Sequence, residues 1–459
     1  MNFITKLIDF INGIIWSNNI LVVLLIGTAI YFTLKTNFMQ FRLFKHMLKS
    51  VWNKEDEEKG VSSFESFCLG TACRIGAGNI AGVVAAISVG GPGSIFWMWL
   101  VALLGCSTSF IESTLSVIYR KKNPNGEFEG GTPWILEKKL NKRWIGVFYA
   151  IASIICYIGA IQVMSNSVTE SFESAFHINK FALAGFLAVA VALTIFGKRN
   201  KIINVLNKIV PFMALLYIGV VLIVILKNAT LVPLVIKNIF YQAFGGEQII
   251  GGALGGIIMQ GVKRGLFSNE AGTGNSNYAA AIADVKHPAK QGLVQAFGVF
   301  VDTIVICTAT ALVVLLAGDQ GDLTGMVLFQ ESLKSHIGWI GIPFTSITIF
   351  LFSFSTILGV TFFGRNALSF ISKNSILNIG YKILIILMVF QGGIQENQTV
   401  WALADLGLGL MAIINIGCIL PISKDAIDSL RDYEENFLNQ GKKKNISENL
   451  AEEKLNLNS

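Results

Sequence analysis

Two short runs hold the residues best suited to binding ions and small polar solutes. The first is Arg74-Ile75-Gly76-Ala77-Gly78-Asn79-Ile80-Ala81-Gly82, set in an otherwise apolar stretch. Gly76, Ala77 and Gly78 lack bulk, so a ligand can approach their backbone, and Asn79 adds a neutral side-chain oxygen. Each glycine weakens a helix by up to ~1 kcal/mol relative to alanine, so the run predicts a helix interruption. Freed N–H groups at a half-helix start suit a carboxylate, helped by the positive end of the helix dipole. Freed carbonyls just before the break, at Ala72 and Ile75, suit Na⁺, a hard cation that prefers oxygen. The second run is Ser353-Phe354-Ser355-Thr356. Opposite the break, Ser355 and Thr356 would complete a cation shell; in a lipid-facing helix the same hydroxyls would only bond back to carbonyls one turn earlier.

Charged residues inside apolar stretches cost at least ~2.5–3.5 kcal/mol each at a membrane centre, so each needs a reason. They are Arg74, Glu112, Asp302 and Asp405. A structural ion pair is a fair reading of any of them. Asp302 is also a candidate second cation or proton site, and Arg74 is expected to pair with an internal acid. The six cysteines form no CxxC pair and the four histidines no metal-ligand cluster, so the cysteines read as small packing residues. No nucleophile–base set stands out, which argues against an enzyme. The polar run Ser268-Asn269-Glu270 falls in a glycine-rich segment read as a cytoplasmic loop, with a structural or gating role, and His287-Pro288 reads as a turn.

The elements that must position these residues are membrane helices. The chain has 459 residues, is 53% hydrophobic and only 14% charged, and has a mean hydropathy of +0.60. A soluble protein carries about 25% charged residues, and a helix needs roughly 20 apolar residues to cross a bilayer. Eleven stretches qualify, at 17–34, 64–90, 92–119, 143–165, 181–197, 202–226, 239–262, 291–317, 340–363, 380–393 and 399–420. The N-terminus lacks a cleavable signal pattern, so the first stretch reads as a retained span. The net charge of +7 does not point to nucleic acid, because 28 of the 36 Lys and Arg fall in alternate loops and the C-terminal tail, against 5 on the opposite side. That positive-inside bias predicts an external N-terminus and a cytoplasmic C-terminus. The polar tail from about 426 to 459 carries no catalytic content.

A second glycine cluster, Gly245-Gly246-Glu247-Gln248-Ile249-Ile250-Gly251-Gly252-Ala253-Leu254-Gly255-Gly256, interrupts the seventh stretch, five spans after the first. With 17–34 as an extra helix, the rest divides into 64–226 and 239–420. Each half is led by an interrupted helix, and the two lie in opposite orientation because five is odd. This is the pattern of inverted-repeat transporters, with substrate at the midplane between discontinuous helices; close helix packing is the plainer reading of the glycines. The expectation is a single transmembrane domain over 1–425. A passive channel would use the same spans but would need neither paired breaks nor a buried cation shell.

Longer motifs carry a family resemblance. Gly76-Ala77-Gly78-Asn79-Ile80-Ala81-Gly82-Val83, then Gly90-Gly91-Pro92-Gly93-Ser94-Ile95-Phe96-Trp97-Met98-Trp99, resemble the alanine/glycine:cation symporter family, as do Arg264-Gly265-Leu266-Phe267-Ser268-Asn269-Glu270-Ala271-Gly272 and His287-Pro288 with Gln291-Gly292. Phe300 to Thr303, Phe352 to Gly359 and Trp401 to Met411 match it too. The resemblance covers roughly residues 15–425. It implies an all-α LeuT-type 5+5 inverted repeat with one extra N-terminal helix, about 11 transmembrane helices in all, in a plasma membrane of bacterial or archaeal type. It implies uptake of alanine, glycine or, in some members, glutamine, driven by Na⁺ or sometimes H⁺. Residues implied at the substrate are Gly76, Ala77, Gly78 and Asn79, joined by Gln162, Met164, Gly251, Gly252 and Val360; those at Na⁺ are Ala72, Ile75, Ser355 and Thr356. The sequence departs from the family where Ala77 replaces Thr or Val, Met164 a Gln, Val360 a Trp and Arg365 a Glu. Loss of an indole and an amide enlarges the pocket and removes a polar handle, which opens the way to a larger or more apolar neutral amino acid.

Overall fold

A computed structural model describes residues 3–17, 20–52, 60–124, 126–197, 199–245, 253–321, 323–395 and 397–438. The chain begins with α1 (Phe3–Asn12), a π-helical turn (Gly13–Ser17), α2 (Ile20–Lys35), and the short α3 (Met39–Arg42) and α4 (Phe44–Trp52). Next come α5 (Ser63–Arg74), a 3₁₀ turn (Ala77–Asn79), α6 (Ala81–Gly90) and α7 (Gly93–Ile118). A two-stranded hairpin, Lys121–Lys122 with Phe128–Glu129, and α8 (Thr132–Lys138) lead to α9 (Arg143–Phe176), α10 (Lys180–Ile195), α11 (Arg199–Lys227) and α12 (Val232–Ala243). The second half holds α13 (Ala253–Asn269), α14 (Asn275–Ile282), α15 (Pro288–Val299), a π-helical segment (Phe300–Cys307) and α16 (Thr308–Leu316). It ends with α17 (Gly325–Ile337), α18 (Gly341–Ile371), α19 (Ser375–Ile394) and α20 (Asn397–Tyr433).

Among the described residues, eight helices are long and apolar enough to cross a membrane, or nine with the bent pair formed by α5 and the segment Ala77–Gly90 counted as one span. The perimeter is apolar: Leu193, Leu215, Leu226 and Ile376 are exposed, as suits contact with lipid tails. Polar backbone is satisfied within helices, the condition for crossing hydrocarbon. Inside, α9 lies against α18, α19 and α20, and α7 against α13, α15 and α2. Small residues permit the closest approach: Gly159 of α9 abuts the Ala404 backbone, and Gly407 of α20 abuts Cys156. All six cysteines are buried thiols.

Three boundaries differ from the hydropathy reading. The stretch 143–165 continues as helix to Phe176. The extra turns are polar, but Ser165, Asn166 and Thr169 donate to the carbonyls of Val389, Gln395 and Gly393 on and just beyond α19, at 2.6–2.7 Å. The helix that begins near 399 does not stop at 420; it passes through Pro421 and the expected boundary at 425 to Tyr433. Its end is held by Arg42 to Glu434 at 2.8 Å and His287 to Asp432 at 2.9 Å. Finally, the glycine-rich segment 263–290 that carries Ser268-Asn269-Glu270, read above as a cytoplasmic loop, is largely helical and packed inside the protein. It contains the end of α13 and all of α14, whose residues are buried throughout. Glycine and alanine content made it look like a loop; here small residues let two half-helices pack in the interior.

Candidate functional site

The first helix interruption lies where the glycine run placed it. Helix α5 starts from a Ser62/Glu65 capping box, ends at Arg74, and resumes as α6 at Ala81, with a bend of 60° between the halves. Gly76 is extended (φ −130°, ψ −164°), a conformation open to any residue. Glycine is required there by space, because a Cβ would lie 2.5 Å from Thr356 Oγ1 and 3.1 Å from Met164 Sδ. Asn79 closes the turn: its Oδ1 accepts from Gly76 N at 2.9 Å, and its Nδ2 donates to Asp302 Oδ1 at 2.6 Å.

A second interruption follows the glycine cluster at 245–256, of which residues 246–252 lie outside the described residues. Helix α13 ends at Asn269 and α14 starts at Asn275, with Glu270, Gly272 and Gly274 all in the left-handed region (φ 58°, 86° and 85°). Three positive φ values in five residues cannot continue a right-handed helix. Arg74 joins the two breaks. It donates to Asn269 O at 3.1 Å, Gln295 Oε1 at 3.2 Å and Ser109 Oγ at 3.4 Å, so its hydrogen bonds go to neutral groups, and its charge reaches the buried acids Glu270, Asp302 and Glu112 only through space. Glu112 clamps the far side of the second break, accepting from Gly274 N at 3.1 Å, Ser276 Oγ at 2.8 Å, Asn415 Nδ2 at 2.7 Å and Gly272 N at 3.4 Å.

Beside the first break, three carbonyls converge on one hydroxyl. Thr356 Oγ1 lies 2.8 Å from Ala72 O, 2.9 Å from Phe352 O and 3.4 Å from Ile75 O. A hydroxyl has a single proton, so it satisfies one of the three at a time. An excess of neutral oxygen acceptors around one point is what a small hard cation needs. Ser355 reaches this cluster only through Phe352 O, to which its hydroxyl donates at 2.9 Å, and its Oγ lies 3.4 Å from Met213 Sδ. Asp302 sits in the π-helical segment, fully buried, and accepts from Asn79 at 2.6 Å and from Ser268 and Thr303 at 2.7 Å each.

A small cavity lies between the breaks, and Gly78, Met164, Phe267, Glu270, Thr356 and Val360 are among its lining residues. Ala77 N–H points at Met164 Sδ, 3.2 Å away, a weak acceptor. Phe267 and the Trp401 ring are 4.6 Å apart, Arg264 lies over that ring at 4.3 Å, and Lys263 pairs with Asp405 at 2.6 Å. This column ties α13 to α20 over the cavity's Phe267 wall.

Of the residues expected at the substrate, Gly76, Ala77, Gly78, Met164 and Val360 gather at or around the cavity, and Asn79 is turned to Asp302. Gln162 faces the other way, toward α19, with its amide 3.7 Å from Met388 Sδ and its Cα against Gly392. Gly251 and Gly252 lie outside the described residues. Phe267, Glu270 and Asn275 also border the cavity and were not expected there. Their signal was present in the run Ser268-Asn269-Glu270-Ala271-Gly272, but the hydropathy reading had assigned it to a loop.

Comparison with known proteins agrees with this geometry. A profile described as the sodium:alanine symporter family matches residues 1–448. The chain belongs to the sodium:alanine symporter family. Among relatives, a probable sodium/glutamine symporter, GlnT, of Bacillus subtilis is 42% identical over 93% of this chain and 90% of its own length. The amino-acid carrier protein AlsT of the same organism is 42% identical over 94% and 92%. The sodium/alanine symporter AgcS of Methanococcus maripaludis is 35% identical over 96% and 100%. As a member of the sodium:alanine symporter family, the chain is a multi-pass membrane protein for cation-coupled amino-acid symport and not an enzyme.

Proposed function

We propose that this chain imports a small neutral amino acid together with Na⁺. The observation that carries the reading is the meeting of two helix breaks at one cavity, with an acceptor-rich oxygen cluster one residue from the first break. The substrate carboxylate takes the place of Met164 sulfur at the Ala77 N–H and reaches the backbone of Gly76 and Gly78. Na⁺ sits among Ala72 O, Ile75 O, Phe352 O and Thr356 Oγ1, and Ser355 joins by turning its hydroxyl. Asp302 serves as a second cation or proton site, linked to the break through Asn79. Each solute favours the arrangement of the α5–α6 break that the other binds, which couples them.

The same reading makes the fold a LeuT-type 5+5 inverted repeat. The first half is α5/α6, α7, α9, α10 and α11; the second is α13/α14, α15/α16, α18, α19 and α20. Helix α2 is the extra span. The second half then begins at about 253 and not at 239, and the N-terminus is external, with the C-terminus beyond α20 in the cytoplasm. Symmetric placement of an interrupted helix at the head of each half supports this.

The apolar side chains of Met164, Val360 and Leu408 on the cavity wall favour a cargo with an apolar substituent over glycine, and one relative at 42% identity is named for glutamine. The deciding experiment is a competition panel in proteoliposomes, with Na⁺ and pH gradients imposed separately. Competition by unlabelled alanine and other small neutral amino acids under a Na⁺ gradient supports the reading. Failure of alanine and glycine to compete removes the small cargo, and uptake that follows only the pH gradient removes Na⁺.

A further inference from the structure

We infer that Glu270 is the residue that binds the α-ammonium of the substrate, so that this cavity selects zwitterions with a primary amine. The inference deepens the reading of the cavity as an amino-acid site and rests on it.

Glu270 is the first residue after α13 and adopts φ 58°, a left-handed conformation that a non-glycine residue holds only at a cost. The backbone fixes it there: its N donates to Leu266 O at 2.9 Å, and its O accepts from Thr273 N at 3.1 Å and Thr273 Oγ1 at 2.6 Å. The side chain is thereby placed at the wall of the cavity. It is only 8% exposed.

The carboxylate is under-coordinated by comparison with its neighbours. Asp302 accepts from three side-chain donors, and Glu112 from four groups including two backbone N–H. Glu270 accepts from one, Asn275 Nδ2 at 2.8 Å, which is itself set by Tyr157 OH donating to Asn275 Oδ1 at 2.7 Å. Its second oxygen has no hydrogen bond among the described residues. Arg74 borders the same cavity and its charge acts on Glu270 through space, but its hydrogen bonds go to Asn269, Gln295 and Ser109 and none goes to Glu270. A carboxylate has about four acceptor positions, and a buried one short of partners is costly. A cation that arrives with the substrate supplies what is missing.

The unwound segment between α5 and α6, of which Gly78 borders the cavity, has the complementary character. There the Ala77 N–H faces only a thioether and Gly78 presents bare backbone, which suits a carboxylate. The cavity wall also carries Met164, Phe267 and Val360, so the remaining substituent must be uncharged. An α-amino acid with a neutral side chain meets all three requirements. Its 2-hydroxy analogue lacks the ammonium and leaves Glu270 as poorly partnered as before.

Inhibition of labelled amino-acid uptake by unlabelled alanine and by lactate, its hydroxy isostere, tests this in proteoliposomes. Wild type should prefer alanine by about ten- to a hundredfold, the range expected for a charge-assisted hydrogen bond. Glu270→Gln should collapse that ratio toward one and raise the half-saturating amino acid about tenfold or more, with half-saturating Na⁺ unchanged. Glu270→Asp should keep the preference at lower affinity. A wild-type ratio near one overturns the inference without any variant, and so does a Glu270→Gln protein that keeps the wild-type preference. Absence of cation-driven amino-acid uptake in wild type is a different result, which fails the functional reading itself.

Discussion

Gly76→Ala isolates the contact between the first helix break and the oxygen cluster. The new methyl would lie 2.5 Å from Thr356 Oγ1 and 3.1 Å from Met164 Sδ. Alanine accepts φ −130° without strain, so the cost is steric and local. Thr356 must move by at least about half an ångström, away from Ala72 O at 2.8 Å and Ile75 O at 3.4 Å. Overpacking of this kind costs about 1–3 kcal/mol. If it falls on the cation-bound state, half-saturating Na⁺ rises by about 5- to 150-fold. The assay is the Na⁺ dependence of initial uptake rates in proteoliposomes, repeated in a Thr356→Ala background. That second change removes the hydroxyl the methyl strikes, so the Gly76→Ala penalty should largely vanish there, a non-additivity expected only of residues in contact. Wild-type Na⁺ dependence in Gly76→Ala, or full additivity of the two changes, would refute the placement of Na⁺ at Thr356.

Three other substitutions probe the surrounding structure. Asp302→Asn turns an amide N–H toward one of the donors Asn79, Ser268 or Thr303; a stranded buried donor costs about 1–3 kcal/mol, so the variant should melt earlier and lose cation stimulation, and full retained coupling would remove Asp302 as a cation or proton site. Glu112→Gln likewise places an N–H among four donors and should lower thermal stability by a similar ~1–3 kcal/mol, measured by intrinsic fluorescence on heating. Asp405→Asn releases Lys263 and the α13–α20 tie. In a background where Cys156, which borders the cavity, is the sole thiol, it should raise the rate of external maleimide labelling several-fold; an unchanged rate would show that this column does not close the cavity.

How much of this could be read from the residues depended on whether the signal was local. The break at Gly76 was legible because glycine clustering and Asn79 both act within one helical turn. The break at Glu270 was not legible in the same way. The glycines at 245–256, of which 246–252 lie outside the described residues, gave the louder compositional signal, whereas the interruption between α13 and α14 uses Glu270 in a left-handed conformation. That conformation is sustained by tertiary contacts, Arg74 to Asn269 O and Glu112 to Gly272 N and Gly274 N, which no local pattern records. The directions in which the Gln162 and Ser355 side chains point were not legible for a related reason. Helical spacing puts a residue within a turn of the right face, but the α9–α19 packing and the Met213 contact decided where each side chain went. Thr356, Ala72 and Ile75 came together as expected because each lies on the unwound end of α5 or directly opposite it.

The most direct test of the central claim is concentrative uptake of a labelled neutral amino acid into proteoliposomes holding only this protein. An inward Na⁺ gradient should drive accumulation above the external concentration. Dissipating that gradient with a Na⁺ ionophore should return the internal level to equilibrium, and Thr356→Ala should weaken the Na⁺ dependence. Uptake that only equilibrates and ignores the Na⁺ gradient would contradict the account and leave a passive facilitator in its place.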